Sequence, residues 1–220
     1  MFSILIVEDE KDTSELLQEQ LTEQIPEARV ECVMTVREAH EHIVEAYNNR
    51  ALYDAVVLDI SLPQNSGDYP QFDESVCRDI KSLMPKTIVA HVSAFMDDGR
   101  VKDHIKRVHD EEIDRSFRLS KGDDEWSLKL ESKLKAFLYG IQIENQMNKL
   151  FGDDDEPAFA SRQRSTRARA GDERSVTHEL AALSRNIAAH WVDLDAGLQA
   201  RIRRTFEVTT KDDRVIVSFF

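Results

Sequence analysis

Apolar, β-branched runs alternate with amphipathic helical patterns five times along the N-terminal two thirds of the chain. This alternation restricts the fold more than any other feature. The first run, ILIV at Ile4–Val7, precedes a helical pattern with Leu17, Leu21 and Ile25 on one face, stopped by Pro26. RVECVM then alternates Val30, Cys32 and Met34 as a strand, and Thr35 with Glu38 forms a capping box. The helix it opens is expected to bury Val36, Ala39, Ile43 and Tyr47. AVVLDI suits burial on both faces. A helix from about Asp73 to Met84 follows, then TIVAHVSA as a second buried strand. Val101, Ile105 and Val108 mark a shorter helix, IDRSFRLS a weaker fifth strand, and a long helix starts near Asp124. The economical fold is α/β, a five-stranded parallel sheet with helices on both faces, whose ligands bind beyond the carboxyl ends of the strands.

Those ends carry chemistry. Ile4–Val7 leads directly into three adjacent acids, Glu8, Asp9 and Glu10, and like charges so crowded either face solvent or hold a cation among them. Asp59 ends the third strand, Ser93 ends the fourth, and Lys121 follows the fifth. Singly each reads as a solvated loop residue. As an ordered set at successive strand ends they read as one site.

This set resembles the receiver domains of two-component response regulators, over roughly residues 2–138. VEDE matches the acidic pair with Glu8 and Asp9. LDISLPQNSG matches the phospho-acceptor segment, with Asp59 followed by Pro63 and Gly67. VSA matches the switch hydroxyl at Ser93, and SKG the lysine at Lys121. The resemblance implies a flavodoxin-like receiver that accepts a phosphoryl group on Asp59 with Mg2+ as cofactor. Asp9 and Asp59 would be direct ligands, Ser61 would offer its backbone carbonyl, and Glu8 would act through water, since Mg2+ takes few carboxylates and keeps several waters. Asp59 would be the nucleophile, Lys121 would pair with the phosphoryl group, and Ser93 would swing in to hydrogen-bond it. Glu10 reads as a solvated loop acid. It further implies a sensor histidine kinase or phosphotransfer protein as partner. The chain would be a signalling protein in a phosphorelay and not an enzyme, beyond self-phosphorylation and self-dephosphorylation.

Four departures stand out. Gly122 follows the lysine where the family commonly has proline, so that turn is made differently. Arg118 holds the position of the aromatic switch, with Phe117 one place earlier. The loop 68–73 after Gly67 is long, and it either gates Asp59 or elaborates the surface. The span from Ser93 to Lys121 is also long, with the acids DEE before strand five, so the output surface is expected to be unusual. A metal-dependent phosphohydrolase would need an acid/base aspartate just after the nucleophile, and Ile60 and Ser61 stand there instead.

The net charge of −13 is uneven: residues 1–151 carry 18 basic and 30 acidic side chains, residues 152–220 carry 11 and 12. The acidic first part argues against direct nucleic-acid binding there. No apolar stretch reaches bilayer length and no leader pattern opens the chain, so a cytoplasmic protein without membrane contact is expected. Cys32 and Cys77 lack CxxC pairing and read as buried thiols, suggesting neither a zinc site nor a disulfide. His40, His42, His91, His104, His109 and His190 show no metal-ligand spacing.

The sequence divides into a receiver at 1–139, a helical extension and charged linker at 140–175, and a small helix–helix–hairpin α+β output module at 176–220. The long helix carries Leu130, Leu134, Phe137, Leu138, Ile141, Met147 and Leu150 to about Phe151, further than one sheet edge requires. The linker's Arg162, Arg164, Arg167 and Arg169 are flanked by acids, which favours a solvated segment over a nucleic-acid contact. The module is too small to bury its own face and ends in the apolar run VIVSFF, so a homodimer is expected. Output by protein contacts is preferred. The alternative is DNA binding through Arg201, Arg203 and Arg204, against which no three-helix helix-turn-helix is found. A third reading takes THELAAL as a phosphotransfer segment around His178, but it lacks that segment's usual proline.

Overall fold

The computed structural model describes residues 1–96, 98–108, 116–151, 170–211 and 214–219. It divides into two compact units, Met1–Leu134 and Lys135–Phe220.

The N-terminal unit is built on a five-stranded sheet. Its strands are β1 (Phe2–Val7), β2 (Ala28–Val33), β3 (Ala55–Asp59), β6 (Ile88–Ser93) and β7 (Phe117–Ser120). They lie in the order β2-β1-β3-β6-β7, and every pair is parallel. All residues of β3 and β6 are buried, as continuous apolar runs in a doubly covered sheet require. Among the described residues four helices belong wholly to this unit: α1 (Lys11–Gln24), α2 (Val36–Asn48), α3 (Ser75–Leu83) and α4 (Gly99–Val108). Val36, Ala39 and Ile43 of α2 and Val76, Cys77 and Ile80 of α3 share a core with Leu5, Val7, Val56 and Leu58. Helix α5 (Trp126–Phe151) meets α1 through Gln20, whose Nε2 donates to Glu131 Oε2 at 3.0 Å.

The Thr35 cap opening α2 forms, Glu38 N–H donating to Thr35 Oγ1 at 3.1 Å, while the Glu38 carboxylate reaches one residue further back and accepts from Met34 N–H at 2.9 Å. Two details differ from the sequence reading. Tyr47 is exposed and Ala46 is buried in its stead, although both positions, three and four beyond Ile43, border the same helical face. In β2, Val33 is buried and Met34 lies past the strand end, exposed. Directly after Asp59, β4 (Ser61–Leu62) pairs antiparallel with β5 (Gln71–Phe72), so the long loop closes as a small hairpin, with Gly67 at φ +90° in its turn.

The C-terminal unit contains the remainder of α5, α6 (Ala170–His190), a 3₁₀ turn (Trp191–Asp193) and α7 (Ala196–Arg203). An antiparallel hairpin of β8 (Phe206–Lys211) and β9 (Arg214–Phe219) closes it. Asp195 caps α7, its side chain accepting from Leu198 N–H at 2.9 Å. Ile143, Met147, Leu150 and Phe151 of α5 pack with Leu183 and Ile187 of α6, Trp191, Leu194, Leu198, Ile202 and Phe206. The apolar surplus on the long helix is therefore the floor of the second core. For the same reason the units part at Leu134, before the expected 139: Tyr139 already stacks on His190 at 3.5 Å. The segment expected as 140–175 is helical at both ends, and residues 152–169 with their four arginines lie outside the described residues. On the hairpin, Val215 and Val217 turn toward the core, and Phe219 packs on Phe151 at 5.8 Å.

Candidate functional site

Glu8, Asp9, Asp59, Ser93 and Lys121 meet at the carboxyl edge of the sheet. Glu8 is 2% exposed, and its backbone N–H extends the β1–β2 ladder to Val33 O at 3.0 Å, which turns the side chain inward. Asp59 is 6% exposed; its Oδ1 accepts the Ser61 N–H at 2.9 Å. Lys121 joins the two acids, with Nζ 2.6 Å from Asp59 Oδ2 and 2.7 Å from Glu8 Oε2. Its own N–H donates to Ser93 O at 3.0 Å, which seats the lysine where β7 leaves the sheet. Ligand oxygens of Glu8, Asp9 and Asp59 lie within 4.8 Å of one another.

Burial pushes Glu8 up to about 7, the attraction of Lys121 failing to offset it and Asp59 adding to it. Asp9 is raised in the same direction by burial and by the neighbouring Asp59 charge. Burial alone would lower Lys121, but Asp59 and Glu8 together hold it above its ordinary value. One ammonium thus serves three carboxylates, two of them in a dry environment. A crowded set of hard oxygen donors with a deficit of positive charge fits a divalent cation such as Mg2+.

The remaining expected residues fall close by. Ser93 is buried, and its Oγ accepts from Phe95 N–H at 3.1 Å. Ser61 is half-buried at the start of β4. Glu10 is exposed and accepts from Thr13 Oγ1 at 3.0 Å, as a solvated loop acid should. Gly122 makes its turn without a cis bond, its N–H donating to Ser120 Oγ at 3.2 Å. Phe117 is half-buried under the Lys133 ammonium, 5.2 Å from the ring centre, and Arg118 is exposed.

What the sequence did not reveal is a cleft of about 560 Å³ beside Ser93, walled by Phe72 and Pro70 of the hairpin and by Phe95, Arg100 and Val101. Arg100 lies over the Phe72 ring at 6.0 Å. The only signal was the length of the loop after Gly67.

The residues weighed for other functions are placed differently. Arg201 donates to Asn148 Oδ1 at 2.7 Å, and Arg203 lies 5.1 Å over the Trp191 ring, so two of the three arginines considered for DNA serve the second unit's own packing. His178 is exposed on α6. Among the described residues no helix is long and apolar enough to cross a membrane.

No protein-family profile and no curated protein sequence matches the chain. Solved structures do. The phosphorylated cyanobacterial phytochrome response regulator is 22% identical, with TM-score 0.50, over 62% of this chain and 94% of its own. The receiver domain of a DNA-binding response regulator from Colwellia psychrerythraea is 24% identical, with TM-score 0.48, over 63% of this chain and 98% of its own. A two-component response regulator from Clostridium difficile is 20% identical, with TM-score 0.45, over 63% of this chain and 96% of its own. The five-stranded parallel sheet with its helices is the receiver fold, and these matches span under two thirds of the chain.

Proposed function

We propose that this chain is a response regulator that accepts a phosphoryl group on Asp59 from a histidine kinase or phosphotransfer protein. One observation carries the reading: Lys121 Nζ bridges Asp59 and Glu8, with Asp9 in ligand range, at the edge of a sheet of receiver topology.

In the proposed reaction an Asp59 carboxylate oxygen attacks the phosphorus of the donor. The bond from phosphorus to the donor's leaving nitrogen or oxygen breaks, its electron pair leaves with the donor, and an acyl phosphate results. Asp9 and Asp59 would hold Mg2+ directly, with the Ser61 carbonyl, and Glu8 would act through water. When bound, the cation neutralises the carboxylates and the phosphoryl oxygens. Lys121 would then keep one point charge on the transferred group after releasing Asp59 Oδ2. Ser93, on the neighbouring strand, supplies the hydroxyl that could follow the phosphoryl oxygen. Output through the second unit is by protein contacts in this reading, since Arg201 is engaged by Asn148 and Arg203 by the Trp191 ring, which weakens the alternative of phosphate contacts. Pairing of two copies is supported more narrowly, by Ile216, 47% exposed on a two-stranded hairpin.

Treatment with Mg2+ and a small acyl-phosphate donor, read by intact mass, should add one phosphoryl group to the wild type and none to Asp59→Asn. Equal labelling of the variant would reject Asp59 as the acceptor.

A further inference from the structure

We propose that Cys77, His91 and His104 form a buried transition-metal site, with Zn2+ as the ion that fits it. It is separate from the carboxylate edge and independent of the function proposed above.

The three side chains come from three elements of the N-terminal unit: Cys77 from α3, His91 from β6 and His104 from α4. All are fully buried, and one ligating atom from each lies within 4.8 Å of the others. Cys77 Sγ stands 3.6 Å from His91 Nε2. In a tetrahedral site with Zn–S about 2.3 Å and Zn–N about 2.0–2.1 Å, sulfur and nitrogen ligands lie about 3.5 Å apart. The His91 and His104 rings meet edge to face at 5.5 Å, and Glu74 Oε1 is 3.7 Å from His104 Nδ1. Glu74, whose side chain is 28% exposed and also faces Arg78 at 3.9 Å, stands beside the cluster as a neighbour of His104.

The donor set selects the metal. One sulfur and two imidazole nitrogens suit Zn2+ and its neighbours, whereas Mg2+ prefers oxygen. Two neutral imidazoles and a thiolate leave one net positive charge on the loaded site, which the Glu74 carboxylate beside His104 offsets. Binding releases the Cys77 thiol proton to solvent. Three protein ligands from three elements would let the ion tie α3 and α4 to the strand that carries Ser93.

The full-length protein, reduced with a non-chelating phosphine, is titrated with Co2+ as a spectroscopic probe. One equivalent should bring a thiolate-to-cobalt charge-transfer band and strong tetrahedral d–d bands, both displaced by one equivalent of Zn2+. The bands should persist in Cys32→Ser and in Asp59→Asn, and vanish in Cys77→Ala and His104→Asn. Folded wild type that shows no charge-transfer band would overturn the proposal, whatever the variants do. So would bands that survive Cys77→Ala, or that disappear with Cys32→Ser or Asp59→Asn.

Discussion

Replacing Lys121 by methionine keeps the aliphatic stem and removes the one cation that the structure places between Glu8 and Asp59. Both acids are nearly closed to solvent, at 3% and 7% side-chain exposure, and Lys121 itself is 13% exposed. At an effective dielectric of about 20 and a charge separation of about 4 Å, each pair contributes about 4 kcal/mol of attraction. The lysine's own desolvation, no longer incurred, offsets part of this. Breaking a buried pair by deleting one partner typically costs about 3–5 kcal/mol, and that is the loss expected above neutral pH without Mg2+. The pH dependence has a definite sign. Glu8 titrates near 7 with Lys121 present and higher without it. Below pH 7 it is therefore neutral in both proteins, and its share of the penalty vanishes. Above pH 7 only the wild type ionises freely, and the penalty grows by about 1.4 kcal/mol per pH unit until the variant's own pKa is reached. Between pH 7 and 8.5 the difference should widen by up to about 2 kcal/mol. Mg2+ at a hundredfold excess over the variant's dissociation constant should stabilise the variant by about 2.7 kcal/mol, and the wild type by less at the same concentration, because Lys121 already neutralises part of its cluster. The assay is urea unfolding followed by Trp126 fluorescence in a Trp191→Phe background, so that the N-terminal unit alone reports. A penalty under about 1 kcal/mol, flat from pH 6 to 8.5 and indifferent to Mg2+, is what a surface ion pair gives. That result would refute a buried cluster held by one lysine.

Three more outcomes can be checked. Because Glu8 and Asp9 are both raised, protons compete with the cation. Mg2+ affinity by calorimetry should strengthen with pH up to about 7 and then level, and a constant affinity from pH 5 to 8 would contradict the cluster's electrostatics. Ile187 is fully buried in the second core, so Ile187→Ala should cost about 2–5 kcal/mol in the C-terminal unit's unfolding transition, and a loss below about 0.5 kcal/mol would deny that core. If two copies pair, they do so through the hairpin: light scattering should show a dimer that Ile216→Lys converts to monomer, and a monomeric wild type would end that reading.

The carboxylate edge was legible because its information is local. A parallel strand must be apolar along its length, and the residue where it stops is the residue that meets the ligand. Glu8, Asp9, Asp59, Ser93 and Lys121 could therefore be placed together from strand ends alone. The same holds for the Thr35–Glu38 cap, which spans one helical turn, and for the hairpin at Phe206–Phe219. What lay beyond reach was decided by packing between elements distant in sequence. The apolar residues of α5 after Tyr139 exceeded what one sheet edge requires, and no periodicity says which partner covers a face. Only the fold shows Leu183, Ile187 and Ile202 there. The histidines offered no ligand spacing, and Cys77 looked like an inert core thiol. Yet α3, β6 and α4 bring Cys77, His91 and His104 within 4.8 Å, since a site assembled from three elements leaves its geometry in the tertiary contacts and no repeat in the chain.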